Sequence, residues 1–422
     1  MTGRGPLAER DARALWHPYT QHGLEREALP VARAHGSLLV LEDGREIVDA
    51  ISSWWTCLHG HAHPRLVATL AEQAARLDHV LFAGCTHEPA VALAEELLAL
   101  APPGLARVFY SDDGSTAVEV ALKIVLQAHR HAEESGRRVF VALEGAYHGD
   151  TFGAMAVGER EPFFAPFEPL MFEVRRAPVE AAAIDAALGE LGPRAAGVIL
   201  EPLVQGAGGM RMHAPALVRA VREACDRHGV FLIADEVMTG FGRTGTLFAC
   251  EQAGVTPDLL CLAKGLTGGV LPLAATLVTS ELFERFISQD RARAFFHGHS
   301  FTASPLGCAV ARESLALCRE EDVPARLDAL GRRLEEELRR SLGARIAALR
   351  LRRRGGIVAL DLPAAGAAGY LDSRALELRA RALERGVLLR PLGHVLYAMP
   401  PASTTPDQAD LVADTMSALA QE

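Results

Sequence analysis

Apolar runs and amphipathic segments alternate through the middle of the chain. Short apolar runs at Arg107–Tyr110, Val139–Leu143, Gly197–Glu201, Val230–Asp235, Leu259–Leu262 and Ala274–Val278 have the length and composition of strands buried on both faces. Between them, Ser115–His131 and Ala214–His228 repeat apolar positions at helical spacing. Strands alternating with helices predict an α/β fold: a mostly parallel sheet flanked by helices. After about residue 310 the pattern changes to a long charged helix over Val323–Leu342, then short strands and a last helix from Thr405. The stretch 1–60 is irregular and rich in aromatic residues. A large domain over 61–310 and a smaller α+β domain built from 1–60 and 311–422 are therefore expected.

A length of 422 residues accommodates two such domains. The net charge of -10 speaks against nucleic acid or a membrane surface as partner, because both would repel the chain. The one basic cluster, Arg350–Arg354, reads as a solvated connection between helix and strand. Seven cysteines are dispersed without a Cys-x-x-Cys pair, the usage of reduced thiols and not of a disulfide framework or zinc site. The start of the chain is charged and lacks the apolar segment of a signal peptide, and no apolar run approaches the ~20 residues of a membrane span. The expected compartment is the cytoplasm.

Ligands of parallel sheets gather beyond the carboxyl ends of the strands, and four such ends carry candidate chemistry. Gly114 and Ser115 open a helix after a strand, where free N–H groups and a hydroxyl can hold an anion; the same residues also serve as an ordinary helix start. Tyr147 and His148 sit in a turn bracketed by glycines, where an aromatic face can meet a flat ligand or simply pack. Asp235 ends a buried strand, and a carboxylate there needs a cation or a donor. The following Gly240-Phe-Gly242-Arg-Thr-Gly245 matches G-x-G-x-x-G, but the adjacent acids would repel a pyrophosphate and a poor helix start follows, so a shaped turn is the better reading. Lys264 lies between an apolar strand and a glycine-rich turn, a place also open to a snorkelling surface lysine. In combination, a lysine for covalent attachment, an acid for a ring nitrogen, an anion site and an aromatic plate match what pyridoxal 5'-phosphate requires. His59, His61 and His63 alternate as metal ligands could, but no acid or thiol accompanies them and Pro64 ends the run, so no metal is expected.

The segments SSWW, DDGSTAVEVALK, YHGDTFGAM, EPLVQGAGGM, ADEVMTGFGRTG, AKGLTGG and HGHSFTASPLGCAVA occur in order, and with them the chain resembles the fold-type I, class III pyridoxal-phosphate aminotransferases over about residues 14–403. LWHPYTQ, ISSWWTCLHGH and RPLGHVLYAMPP further resemble the subfamily of biotin synthesis in which S-adenosyl-L-methionine aminates 8-amino-7-oxononanoate to 7,8-diaminononanoate. The resemblance implies that Lys264 carries the cofactor and moves protons, and that Asp235 partners the ring nitrogen. It implies Gly114 and Ser115 at the phosphate, with Tyr147 stacked on the ring and bordering the substrate. It further implies a homodimer with shared active sites, in which Gly298, His299 and Ser300 reach into the other subunit. Arg390 would clamp the acceptor's carboxylate, and Tyr19 and Trp54 would line the substrate slot, Tyr19 against the donor's adenine. Trp55 is implied as structural support. Where many S-adenosylmethionine-dependent members read H-G-P-T, this chain reads His297-Gly-His-Ser300, which is also similar to members that use L-lysine. S-adenosylmethionine is the expected donor, because Tyr19 and Trp54 supply aromatic faces for its adenine; L-lysine is the alternative, as is the wider class of ω-aminotransferases acting on ornithine, 4-aminobutyrate or an amine.

Overall fold

Alternate residues of the central strands bury into opposite helical layers, which is why those strands read as continuous apolar runs. In this computed structural model, which describes residues 6–25, 28–160, 163–363, 370–372 and 374–421, the central sheet has seven strands. Their order is Leu105–Ser111, Ala274–Thr279, Leu259–Leu262, Phe231–Asp235, Ala195–Leu200, Val139–Leu143, Val174–Ala177. All neighbours run parallel except Ala274–Thr279, which is antiparallel to both of its partners. Phe140, Ala142, Ile199 and Ile233 pack on the helix Gly114–His131, whereas Val141, Val198, Leu200 and Leu232 pack on Ala181–Leu191 and Pro215–His228. The expected strands are all present, with ends displaced by a residue or two. Val174–Ala177 is an addition: reading Val-Arg-Arg-Ala at the sheet edge, it lacks the apolar signature of an inner strand.

The two ends of the chain meet. Val31–His35, Leu38–Leu41 and Glu46–Asp49 form one sheet with Val387–Leu388, and Arg352–Arg354, Ile357–Asp361 and Val395–Ala398 form another. Val323–Leu342 is a helix as expected, and its Leu334 and Leu338 bury against Val412 and Met416 of the last helix, Pro406–Gln421. The arginine run departs from expectation, because Arg352–Arg354 is a paired strand and not a solvated connection. Each guanidinium has a partner that permits half-burial: Arg352 reaches Asp361 at 2.7 Å, Arg353 reaches Asp328 at 2.6 Å, and Arg354 donates to Gln252 at 3.3 Å. All seven cysteines are free thiols. Among the described residues no helix is long and apolar enough to cross a membrane. Residues 1–5 of the charged N-terminal stretch lie outside the described residues.

Candidate active site

A cavity of about 410 Å³ opens at the carboxyl edge of the sheet, and Gly114, Ser115, Tyr147, His148, Asp235 and Lys264 all line it. Strand register brings the acid and the amine together: Asp235 is paired with Cys261, and Lys264 follows three residues later in a short 3₁₀ turn with φ 46°. One Asp235 oxygen meets His148 Nδ1 at 2.7 Å and the other accepts the Val237 N–H at 3.0 Å. These contacts offset the burial of the carboxylate. Burial pushes the Lys264 amine below the ordinary lysine pKa, against the opposing pull of Asp235 and Glu201. Its Nζ lies 4.8 Å from the centre of a Trp55 ring. Glu201 accepts N–H bonds from Tyr147 at 3.1 Å and Gly206 at 2.8 Å, and burial raises its pKa to about 7.

Asp113 caps the helix by accepting from Thr116, which leaves the Gly114 and Ser115 N–H groups at the cavity free of intrahelical partners. The Ser115 hydroxyl accepts the Asp150 N–H at 3.1 Å, so its own hydrogen is available to an anion. At Gly114 a Cβ would lie 2.5 Å from a Val237 methyl, so only glycine lets the helix start come this close to the strand end. The donor set fits pyridoxal phosphate: an amine, a carboxylate held from one side, an open helix start with a hydroxyl, and the buried His148 Nε2 without a partner.

A second cavity of about 270 Å³ shares Trp55, Thr56, Tyr147 and Lys264 with the first and adds Tyr19, Trp54, Tyr370 and Arg390. The Arg390 guanidinium lies 4.3 Å over a Trp54 ring and donates to the Tyr370 hydroxyl at 2.9 Å. Tyr19 meets Trp54 edge-on at 5.5 Å. The Tyr19 and Tyr147 hydroxyls both donate to one Asp150 oxygen, at 2.6 and 2.9 Å. Burial and these neighbours hold both phenols above the ordinary tyrosine pKa, so both remain donors.

The tryptophans are presented by an unusual backbone. Ser52, Ser53, Trp54 and Trp55 have φ values of 50°, 44°, 68° and 74°, a left-handed turn without glycine. The left-handed helix costs roughly 1–2 kcal/mol per such residue, hence about 4–8 kcal/mol here. Bonds from all sides offset that cost. Trp55 Nε1 donates to the Tyr397 hydroxyl at 3.0 Å, Ser52 Oγ donates to the Met399 carbonyl at 2.8 Å, and the buried Asp49 carboxylate accepts from the Ile51 N–H and the Ser53 hydroxyl.

Gly298, His299 and Ser300 do not join the other site residues within one chain. They line neither cavity; Ser300 is exposed, and the His299 N–H donates to Thr302 Oγ1 at 3.0 Å. The glycines at 240–245 shape a turn, and the start of the helix that follows is already occupied by a side-chain carboxyl. Glu236 accepts the Ala249 N–H at 2.6 Å and the Cys250 N–H at 2.8 Å, which leaves no room for a pyrophosphate. His59 and His61 serve separate partners, Ser314 at 3.0 Å and Asp49 at 2.8 Å. Among the described residues no group of three His, Cys, Asp or Glu side chains is placed to hold a metal. Glu201, Asp150 and Tyr370 escape the sequence reading. Glu201 alone left a signal, since it closes an apolar strand as Asp235 does.

Solved structures agree with this fold over nearly the whole chain, that of the fold-type I pyridoxal-phosphate-dependent transferases. An amine transaminase from an uncultivated Pseudomonas species, solved with pyridoxal phosphate bound, is 31% identical with a TM-score of 0.90, covering 97% of this chain and 98% of its own. The chain belongs to the class III aminotransferases, whose family model, Aminotransferase class-III, matches residues 19–419. It is a pyridoxal-phosphate-dependent aminotransferase. A relative from Synechococcus elongatus, named adenosylmethionine-8-amino-7-oxononanoate aminotransferase, is 49% identical over 93% of this chain and 95% of its own. The relative of that name from Mycobacterium leprae is 39% identical over 96% of this chain and 94% of its own. The structure of the enzyme of that name from Methanocaldococcus jannaschii is 33% identical with a TM-score of 0.93, covering 98% of each chain.

Proposed function

We propose that this chain moves the amino group of S-adenosyl-L-methionine to 8-amino-7-oxononanoate, giving 7,8-diaminononanoate for biotin synthesis. The observation that carries the reading is the aromatic slot beside Lys264, in which Arg390 contacts a Trp54 ring and the Tyr370 hydroxyl, neither of them a carboxylate. A guanidinium so placed suits the acceptor's distal carboxylate, and Tyr19 offers a face to the donor's adenine. The relatives' names support the same pair of substrates.

Bound pyridoxal phosphate supplies the electron sink for the carbanion left at the donor's α-carbon. Lys264 carries the cofactor and, once displaced, takes the α-proton; its lowered pKa suits that task. In the second half-reaction it returns a proton to the carbonyl carbon of the acceptor. Asp235 would hold a proton on the ring nitrogen, and His148 fixes the orientation of Asp235. Gly114 and Ser115 would hold the phosphate, and Tyr147 would border the ring. In a homodimer, Gly298, His299 and Ser300 would complete the phosphate site of the second copy, and none of the three lines either cavity of its own chain. The small domain of 1–60 and 311–422 covers the large domain of 61–310, and the enzyme works in the cytoplasm. L-Lysine is the second reading of the donor, favoured by His297-Gly-His-Ser300. That segment lies outside the slot, whereas Tyr19 and Trp54 lie within it. Adding S-adenosylmethionine alone to the holoenzyme should bleach the visible cofactor band, and 8-amino-7-oxononanoate should restore it. A band bleached by lysine and not by S-adenosylmethionine would overturn the donor.

A further inference from the structure

The left-handed turn that carries the two tryptophans is tied to a buried ionic pair that no step of the reaction uses. Asp49 closes the strand Glu46–Asp49 with its carboxylate fully buried. It accepts from the Ile51 N–H at 3.2 Å, from the Ser53 hydroxyl at 2.8 Å and from His61 Nε2 at 2.8 Å. The other ring nitrogen of His61 faces Cys57 Sγ at 3.6 Å, just past the turn. One histidine therefore braces both the start and the end of the turn. Burial disfavours its cation, but Asp49 and Cys57 more than compensate and raise His61 to about 10. Burial likewise disfavours the Asp49 carboxylate, yet His61 and Ser53 hold it below its ordinary range.

The turn needs such a brace. Ser53 and Trp54 sit at its centre, in a conformation that residues with a Cβ avoid. The Ser53 hydroxyl is bonded to Asp49 one residue before Trp54, and Trp55 Nε1 to Tyr397 one residue after it, while Trp54 itself makes aromatic and cationic contacts with Tyr19 and Arg390. Without His61 the carboxylate loses its cationic partner, and its hold on Ser53 weakens. Trp54 would then leave its place under the Arg390 guanidinium.

We propose that Asp49 and His61 are positioning residues for the acceptor: they hold the strained turn that sets Trp54 against Arg390. The proposal rests on the substrate reading above. Its test compares wild type, His61→Leu, His61→Gln, Trp54→Ala and the double variant His61→Leu/Trp54→Ala as holoenzymes. Binding of 8-amino-7-oxononanoate is followed by tryptophan fluorescence or calorimetry beside the kcat and KM for that acceptor, with thermal unfolding recorded for each. His61→Leu should weaken acceptor binding and raise KM about ten- to hundredfold, as expected for losing a charged hydrogen bond, with kcat and the visible cofactor band little changed. His61→Gln, which can still donate to Asp49, should recover most of the loss. In the Trp54→Ala background His61→Leu should add little, because both act through one group. An unchanged acceptor affinity in His61→Leu, or full additivity with Trp54→Ala, would overturn the positioning role. Should His61→Leu not fold, Ser53→Ala, which removes the turn's own bond to Asp49, is tested in its place, and an unchanged acceptor affinity in it would overturn the positioning role. A wild-type enzyme that neither binds nor turns over this acceptor would instead refute the substrate reading.

Discussion

Replacing Asp235 by asparagine removes a charge while keeping nearly the same shape. The asparagine oxygen can still accept the Val237 N–H, now at 3.0 Å, but the carboxylate oxygen that meets His148 at 2.7 Å is replaced by an uncharged amide NH2. A hydrogen bond to a charged group contributes roughly 1.5–3 kcal/mol, and each ~1.4 kcal/mol is a factor of about ten in rate. The bond from carboxylate to ring nitrogen should therefore account for about one to two decades of turnover, with the weakened electron sink adding to the loss. A second consequence follows at Lys264. The Asp235 charge opposes the lowering of the lysine pKa, so without it Lys264 should lose its proton at still lower pH. Steady-state rates across pH, with both substrates saturating and the fold checked by circular dichroism, should give a lower plateau and an acid-side limb, where Lys264 must lose its proton to act as base, shifted to lower pH. Near-normal turnover with an unmoved profile would refute the role of Asp235.

Borohydride reduction followed by peptide mapping should place the pyridoxyl group on Lys264; labelling at Lys123 would sink the assignment. Arg390→Leu should raise the acceptor KM more than the donor KM, and equal effects on both would remove the clamp. Tyr19→Leu should weaken turnover with S-adenosylmethionine, and an unaltered reaction would separate Tyr19 from the adenine. Sedimentation should find an obligate dimer, and a fully active monomer would contradict the shared phosphate site. Burial holds His59 neutral, with its pKa lowered to about 3. The unfolded chain therefore binds a proton there below about pH 6.5 that the folded protein does not, and stability falls as the pH drops. His59→Gln should recover about 2 kcal/mol near pH 5 relative to its effect at pH 8, and melting curves that shift in parallel at both pH values would refute this.

The inner strands were legible because a strand buried on both faces is apolar along its length. Val139–Leu143 and Leu259–Leu262 are buried at every position. Val174–Ala177 was hidden because an edge strand can carry arginines, and Val31–His35 because four of its five positions are exposed. Asp235 and Lys264 were legible for the opposite reason: charged groups at the ends of apolar strands are costly there unless something meets them. What met Asp235 was not legible, since His148 comes from a turn 87 residues earlier and only the sheet order places them together. The left-handed turn left no trace in SSWW either. Its conformation is imposed by Asp49, His61, Tyr397 and Met399, which the chain gathers from both of its ends.

Product formation tests the account most directly. Purified holoenzyme would be incubated with 8-amino-7-oxononanoate and either S-adenosylmethionine, L-lysine or no donor, and 7,8-diaminononanoate would be measured by mass spectrometry. The account predicts sustained product with S-adenosylmethionine and at most a single turnover without a donor. Product with lysine alone would contradict the donor, and no product with either would contradict the proposed reaction.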